Sequence, residues 1–145
     1  MFGMSKTFLR CRECKKEYDS TFKYICDECF GPLDVHYNFP SITKDIFTNR
    51  EQTYWRYFEL LPIVDKSNIV SINAGMTPLV KAEKLGKKIG LNNLYIKNDS
   101  VNPTFSFKDR PAGVAISKAK EFGLSSVGCA STGNLAAATA AHAAK

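Results

Sequence analysis

Residues 94–123 read LYIKNDSVNPTFSFKDRPAGVAISKAKEFG, and the order of signals in them decides the fold. Leu94 to Lys97 is a short apolar run of strand type, and Asn98 to Ser106 is a polar loop. A helical pattern then continues to Phe122, with Gly123 just past its end. Upstream, after Thr77-Pro78, a helix near Lys81 to Ile89 is closed by Gly90. Downstream, a short strand around Ser126 to Ala130 leads into an alanine-rich helix from about Gly133. Strands alternating with helices predict parallel pairing in an α/β sheet. So few elements cannot cover such a sheet on both faces, so residues 77–145 are expected to be an incomplete domain and the chain the front portion of a larger protein.

Two further segments precede this one. Residues 1–38 hold four of the five cysteines in short strand-like pieces, Lys23 to Ile25 and Leu33 to Tyr37, with Gly31-Pro32 as a turn. Residues 39–76 form a connecting segment in which Tyr54, Trp55, Tyr57, Phe58, Leu60 and Leu61 crowd together before Pro62, the pattern of a short buried helix.

Composition narrows the classes. The chain has 145 residues, of which 44% are hydrophobic, 12% aromatic and 23% charged, and this excludes a disordered or fibrous chain. No run of about 18 apolar residues is available to span a bilayer, and the first ten residues carry no apolar core of signal-peptide length. A soluble protein of the reducing cytoplasm is expected. The net charge of +6 raises the question of nucleic acid, but residues 1–38 carry six basic and six acidic side chains. The excess lies beyond them, partly in Lys81, Lys84, Lys87 and Lys88 around a predicted helix, where it reads as a solvated face. Neither nucleic acid nor a membrane is expected as a partner.

Cys11-x2-Cys14 and Cys26-x2-Cys29, separated by eleven residues, are two knuckles whose thiolates can converge tetrahedrally on zinc. Buried thiols or disulfides are the plainer alternative, and a reducing compartment disfavours disulfides. Four cysteine ligands leave no open coordination position, so such a zinc is structural. It would supply folding energy to a module too small for its own core. Lys15 follows the first knuckle where glycine is common, and Gly31 lies just after the second. His36 is available as a further ligand but reads as an ordinary surface residue. Cys129, on the strand expected near 126–130, reads as a small core side chain.

Chemistry concentrates in two loops, each leading from a strand into a helix. In the first, Ser106 with Asp109 three residues later resembles a capping box; Asp109 as the N-cap, with Pro111 in the first turn, is the other arrangement. Either one puts Lys108 where a helix begins, at the positive end of its dipole. That environment favours the neutral amine that a Schiff-base nucleophile needs for an aldehyde cofactor. A solvated lysine beside a cap is the simpler reading of the spacing. In the second loop, Ser131-Thr132-Gly133-Asn134 gathers two hydroxyls, an amide and free N–H groups at a helix start, suited to a carboxylate or a ring oxygen. The same residues also make a routine helix N-terminus.

Together these strings carry a resemblance. Pro103-Thr104-Phe105-Ser106-Phe107-Lys108-Asp109-Arg110, followed by Ser131-Thr132-Gly133-Asn134, resembles the N-terminal part of the threonine synthases, pyridoxal-phosphate enzymes of the tryptophan-synthase-beta-like fold. Trp55-Arg56-Tyr57, Leu60-Leu61-Pro62, Gly75-Met76-Thr77-Pro78-Leu79 and the four-cysteine ribbon are similar to their zinc-ribbon-bearing branch, so the likeness extends from Cys11 to Lys145. Phe105 departs from the glycine often found in the lysine motif, and Asn73-Ala74 from a more acidic lead-in.

The resemblance implies an α/β fold: a zinc ribbon over residues 1–38 and an incomplete parallel-sheet pyridoxal-phosphate domain over residues 77–145. It implies that Lys108 is the catalytic lysine and forms the internal aldimine with pyridoxal 5'-phosphate, that Asn134 binds the cofactor's ring hydroxyl, and that Ser131 and Thr132 bind the substrate carboxylate. Cys11, Cys14, Cys26 and Cys29 hold the structural zinc. The implied reaction converts O-phosphohomoserine and water to threonine and phosphate, and a homo-oligomer of the complete enzyme is left open. A Gly-rich phosphate loop does not occur before Lys145, so the 145 residues alone are expected to give no turnover. A serine/threonine dehydratase-like lyase or synthase of the same fold, and a nonenzymatic zinc-ribbon interaction module, are the alternatives.

Overall fold

The computed structural model describes residues 6–39 and 41–145. Strand β1 (Lys6–Cys11) is the centre of a three-stranded antiparallel sheet, flanked by β2 (Glu17–Asp19) and β3 (Leu33–Asn38). Cys11 pairs with Leu33 and Phe8 with His36, whose rings stack at 5.5 Å. Thr7, Leu9 and Cys11 are buried while Phe8 and Arg10 are half-buried, the two-residue alternation of a strand with one covered face. The strand expected over Lys23 to Ile25 is reduced to a single bridge between Ile25 and Pro32.

The knuckles repeat one backbone design. Cys11 N donates to Lys16 O and Lys15 N to Cys11 O; Cys26 N donates to Gly31 O and Phe30 N to Cys26 O. Lys15 (φ 64°) and Phe30 (φ 59°) take the left-handed conformation at equivalent places, each directly after the second cysteine of its pair. Gly31 serves a different end. A Cβ there would lie 2.8 Å from Glu13 Cγ and 2.9 Å from Cys11 Sγ, so the glycine lets the two knuckles close on each other.

The connecting segment forms 3-10 turns at Lys44–Phe47, Tyr54–Leu60 and Lys66–Asn68. The expected buried helix is thus a tighter, kinked one, bent at Tyr57. Tyr54, Trp55 and Phe58 turn inward while Tyr57 and Leu60 stay exposed. With Ile63 and Ala74 they form the apolar core, against which Val114 packs.

Beyond it, β4 (Leu79–Lys81) and β5 (Tyr95–Lys97) flank α1 (Glu83–Ile89), which ends on Gly90 in the left-handed conformation. The strands pair antiparallel, Leu79 opposite Lys97. Parallel pairing does not occur among the described residues, because residues 126–130 run without a strand partner. For the same reason Cys129, expected in the core, is exposed. The sheet of this part is incomplete, as its few elements implied.

Helices α2 (Asp109–Glu121) and α3 (Asn134–Ala144) pack together. Polar contacts dock α2 on the connecting segment: Ser117 Oγ accepts from Val70 N at 2.8 Å, and the Glu121 carboxylate accepts from Val64 N and Asp65 N. At its other side Phe122 meets Phe22 of the ribbon edge-on, 5.8 Å between centroids. No helix among the described residues is long and apolar enough to cross a membrane.

Candidate functional site

The four cysteines that the spacing pairs come together. All their sulfurs lie within 4.8 Å of one another, with Cys11 and Cys29 at 3.4 Å and Cys14 and Cys26 at 3.5 Å. A zinc–sulfur bond of about 2.3 Å sets tetrahedral edges of about 3.8 Å, so the cage has the size of a zinc site. Its electrostatics ask for a cation. Against the desolvation of burial, hydrogen bonds from Tyr18 and from the backbone of Cys29 and Glu28 draw the Cys26 thiol down to about 6. Against a backbone hydrogen bond from Lys16, the Cys29 thiol and burial push Cys14 up to about 12. Four thiols this close cannot all ionise without a positive charge among them. His36 stacks on Phe8 and stands outside the cluster.

At the start of α2, the structure realises neither cap arrangement in full. Lys108 itself occupies the N-cap position, with helical backbone angles and no side-chain cap bond. Ser106 Oγ accepts from Lys108 N at 3.2 Å. The Asp109 carboxylate turns back to accept from both the N–H and the hydroxyl of Thr104, each at 2.8 Å. Asp109 is fully buried, so this pair of hydrogen bonds clamps the loop that carries Lys108. Pro111 falls in the first turn, where its missing N–H costs nothing. Phe105 has φ 59°, a conformation natural to glycine, and leaves its ring 80% exposed.

A second clamp holds the strand end to the helix. Arg110 reaches both Asp99 oxygens, at 2.6 and 2.8 Å, and Thr77 donates to Asp99 at 2.6 Å. The Arg110 guanidinium and the Thr77 hydroxyl hold the Asp99 carboxyl at about 2. Asn102, also buried, accepts from Gly75 N and donates to Asp99 O, tying the turn at 73–76 to the same loop.

Ser131 to Asn134 stand as expected between an extended segment and a helix. Gly133 is the N-cap of α3, Asn134 its first residue, and Gly133 N donates to Ser131 Oγ. Ser131 is half-buried; Thr132, Gly133 and Asn134 are exposed. His142 of α3 lies level with Gly113 of α2, and Lys145 lines the same cavity as Lys120. The last turn of α3 thus lies beside the first turns of α2, with Asn134 about two helical turns before it.

Sequence reasoning does not single out His142, which has 1% exposure. Its Nδ1 bonds Ala138 O at 2.9 Å and stands 3.9 Å from Asp109 Oδ1. Its Nε2 and the buried Tyr54 hydroxyl have no hydrogen-bond partner among the described residues, and both crowd Gly113, where a Cβ would lie 2.2 Å from the hydroxyl and 2.9 Å from Nε2. Burial raises the tyrosine's pKa. The one signal in the chain is the four-residue spacing of His142 from Ala138 on an otherwise alanine-rich helix.

Known proteins are similar to this chain. The threonine synthase of Methanocaldococcus jannaschii is 44% identical over 141 residues, which is 94% of this chain and 35% of that protein. The threonine synthase of Methanosarcina acetivorans is also 44% identical, over 140 residues, and that of Synechocystis 48% over 93 residues, or 63% of this chain. The chain spans about a third of the length of the first two relatives. The family described as pyridoxal-phosphate dependent enzyme matches residues 70–145, more than half of the chain and the part that holds both loops. With the lysine loop, the asparagine loop and the clamps between them all inside that match, the chain belongs to the family of pyridoxal-phosphate dependent enzymes.

Proposed function

We propose that this chain is the N-terminal part of a threonine synthase, which converts O-phosphohomoserine and water to threonine and phosphate. The observation that carries the reading is Lys108, placed at the start of α2 by a buried clamp. Its amine lies over the Phe107 ring at 4.8 Å, and no carboxylate is within ion-pair distance among the described residues. An unpaired amine at a positive helix end suits an aldehyde better than an ion pair would. The amide and hydroxyls of the second loop likewise stand where a helix begins. The residues present thus fit the aldehyde and ring-hydroxyl side of pyridoxal phosphate.

In this reading Lys108 would hold the cofactor covalently and Asn134 would bind its ring hydroxyl. Bound pyridoxal phosphate supplies an electron sink for a carbanion beside the amino group. Ser131 and Thr132, with the free N–H groups that open α3, bind the substrate carboxylate and so fix which bond faces the Lys108 amine. The Lys108 amine would move protons between neighbouring substrate carbons. Asp99, Arg110 and Thr77 take no proton; they hold the strand end and the lysine loop in register.

The four thiols hold a structural zinc, and the whole protein works in the cytoplasm on a small-molecule substrate. The test is Lys108→Ala in the full-length protein. Loss of the visible absorption of covalently held cofactor, together with loss of threonine formation by at least about a thousandfold, is expected. Normal turnover by the variant would overturn the assignment. Turnover of serine or threonine, but not of O-phosphohomoserine, by the unaltered protein would instead point to a dehydratase-type lyase.

A further inference from the structure

Within the ribbon, one side chain that ligates nothing is built into the metal cage. The Tyr18 hydroxyl stands 3.0 Å from Cys26 Sγ, and Asp27 N donates to the same hydroxyl oxygen at 3.0 Å. A zinc-bound Cys26 thiolate has no proton to give, so in that state the tyrosine is the donor. Glu28 N donates to Cys26 Sγ as well, at 3.4 Å, so Cys26 receives two hydrogen bonds.

The ring of Tyr18 is in turn held by two ammonium groups. Lys16 Nζ lies 5.6 Å and Lys23 Nζ 5.2 Å from its centroid. Each lysine is also paired to an acid of the second knuckle, Lys16 with Glu28 and Lys23 with Asp27 at 2.7 Å. Zinc bound by four thiolates is a dianion, and such a centre needs donors and positive charge around its sulfurs. The arrangement supplies a donor from β2, and the two ammonium groups over its ring are balanced by Glu28 and Asp27.

We propose that Tyr18 is a positioning residue of the zinc site: its hydroxyl orients and stabilises the Cys26 thiolate, and Lys16 and Lys23, each paired to an acid of the second knuckle, hold its ring in place. This rests on the four thiols binding zinc. Removing an outer-shell partner of a metal ligand costs about 10–100-fold in affinity, and the hydroxyl is the shorter of the two contacts to Cys26.

The experiment is zinc competition against a chromophoric chelator, at one pH, on the 145-residue chain and its Tyr18→Phe variant, with Tyr95→Phe at an exposed strand position as control. We expect zinc to be held at least about tenfold more weakly by Tyr18→Phe and unchanged by the control. In the cobalt-substituted chain, loss of the hydrogen bond raises the energy of the sulfur electrons. The thiolate-to-cobalt band should therefore move to longer wavelength, a change that loosened packing alone would not produce. Equal zinc affinity within twofold and an unmoved band would overturn the proposal. Failure of the unaltered chain to bind zinc at all would instead overturn the zinc reading beneath it. Should Tyr18→Phe not fold, Lys16→Gln with Lys23→Gln decides: at least threefold weaker zinc binding upholds the arrangement, and unchanged binding refutes it.

Discussion

The ribbon and the α2–α3 pair bury opposite kinds of side chain for opposite reasons. In the ribbon Phe22, Tyr24 and Phe30 are exposed, while Cys11 and Cys26 are sealed at the centre. Its exposed ion pairs, such as Arg12 with Asp34, contribute little each. Cohesion is concentrated at one point, where four sulfurs meet. Between α2 and α3 the buried centre holds Asp109, Ser117 and His142 beside Ala112, Ile116 and Ala138. There cohesion is spread over contacts from Thr104 and Val70, each of which satisfies a group that would otherwise be buried alone. A module with one strong centre can be switched off by removing that centre. One with distributed polar contacts loses stability piece by piece.

Zinc removal tests this contrast most sharply. Structural zinc contributes about 10–16 kcal/mol to modules of this type, so chelation of the zinc-loaded chain should abolish amide-exchange protection in β1 and β3 while α2 and α3 keep theirs. Equal loss in both regions would dissolve the distinction. Asp109→Ala should act the other way round. It strands the Thr104 donors, at a cost of about 2–4 kcal/mol to the helix pair. Urea unfolding followed by helical circular dichroism would show it, with zinc affinity unchanged. A loss below about 0.5 kcal/mol would mean that the buried carboxylate contributes no net stability.

The smallest effect concerns pH. Asp99 sits at about 2 in the folded chain against 3.8 unperturbed. Its stabilising contribution is complete above the unfolded value and is lost as pH falls through the folded one. Because the carboxylate is partly exposed, this amounts to roughly 1–2 kcal/mol. Asp99→Asn should flatten that part of the acid-unfolding curve between about pH 4 and 2 and leave the ribbon's response intact; an unchanged curve would remove Asp99 from the account.

Much of this is legible in the residues alone. The cysteine spacing locates the cage, Gly90 and Gly123 stand just past the ends of their helices, and Lys108 and Asn134 both open helices. These features depend on residues near one another in the chain, where a turn or a helix end admits few solutions. The elements that depart from expectation are those whose outcome depends on a neighbour. Residues 126–130 have strand composition but no adjacent strand, so Cys129 is exposed. Leu79 to Lys81 finds an antiparallel partner where alternation suggests a parallel one.

By itself, then, the sequence determined where the four thiols gather, where the helices begin and end, and which lysine and asparagine stand at their starts. Backbone geometry and ligand spacing are local constraints, written in a few consecutive residues. The tertiary structure alone decided that Asp109 faces Thr104 and not the helix it opens, and that His142 is buried beside it. It also decided that Gly31 and Gly113 mark close approaches and that Tyr18 turns its hydroxyl to Cys26. The approaches at Gly31 and Gly113 and the burial of His142 beside Asp109 depend on packing between distant segments, while the contacts of Asp109 and Tyr18 depend on how the loop between the two partners closes, which residue types alone do not fix.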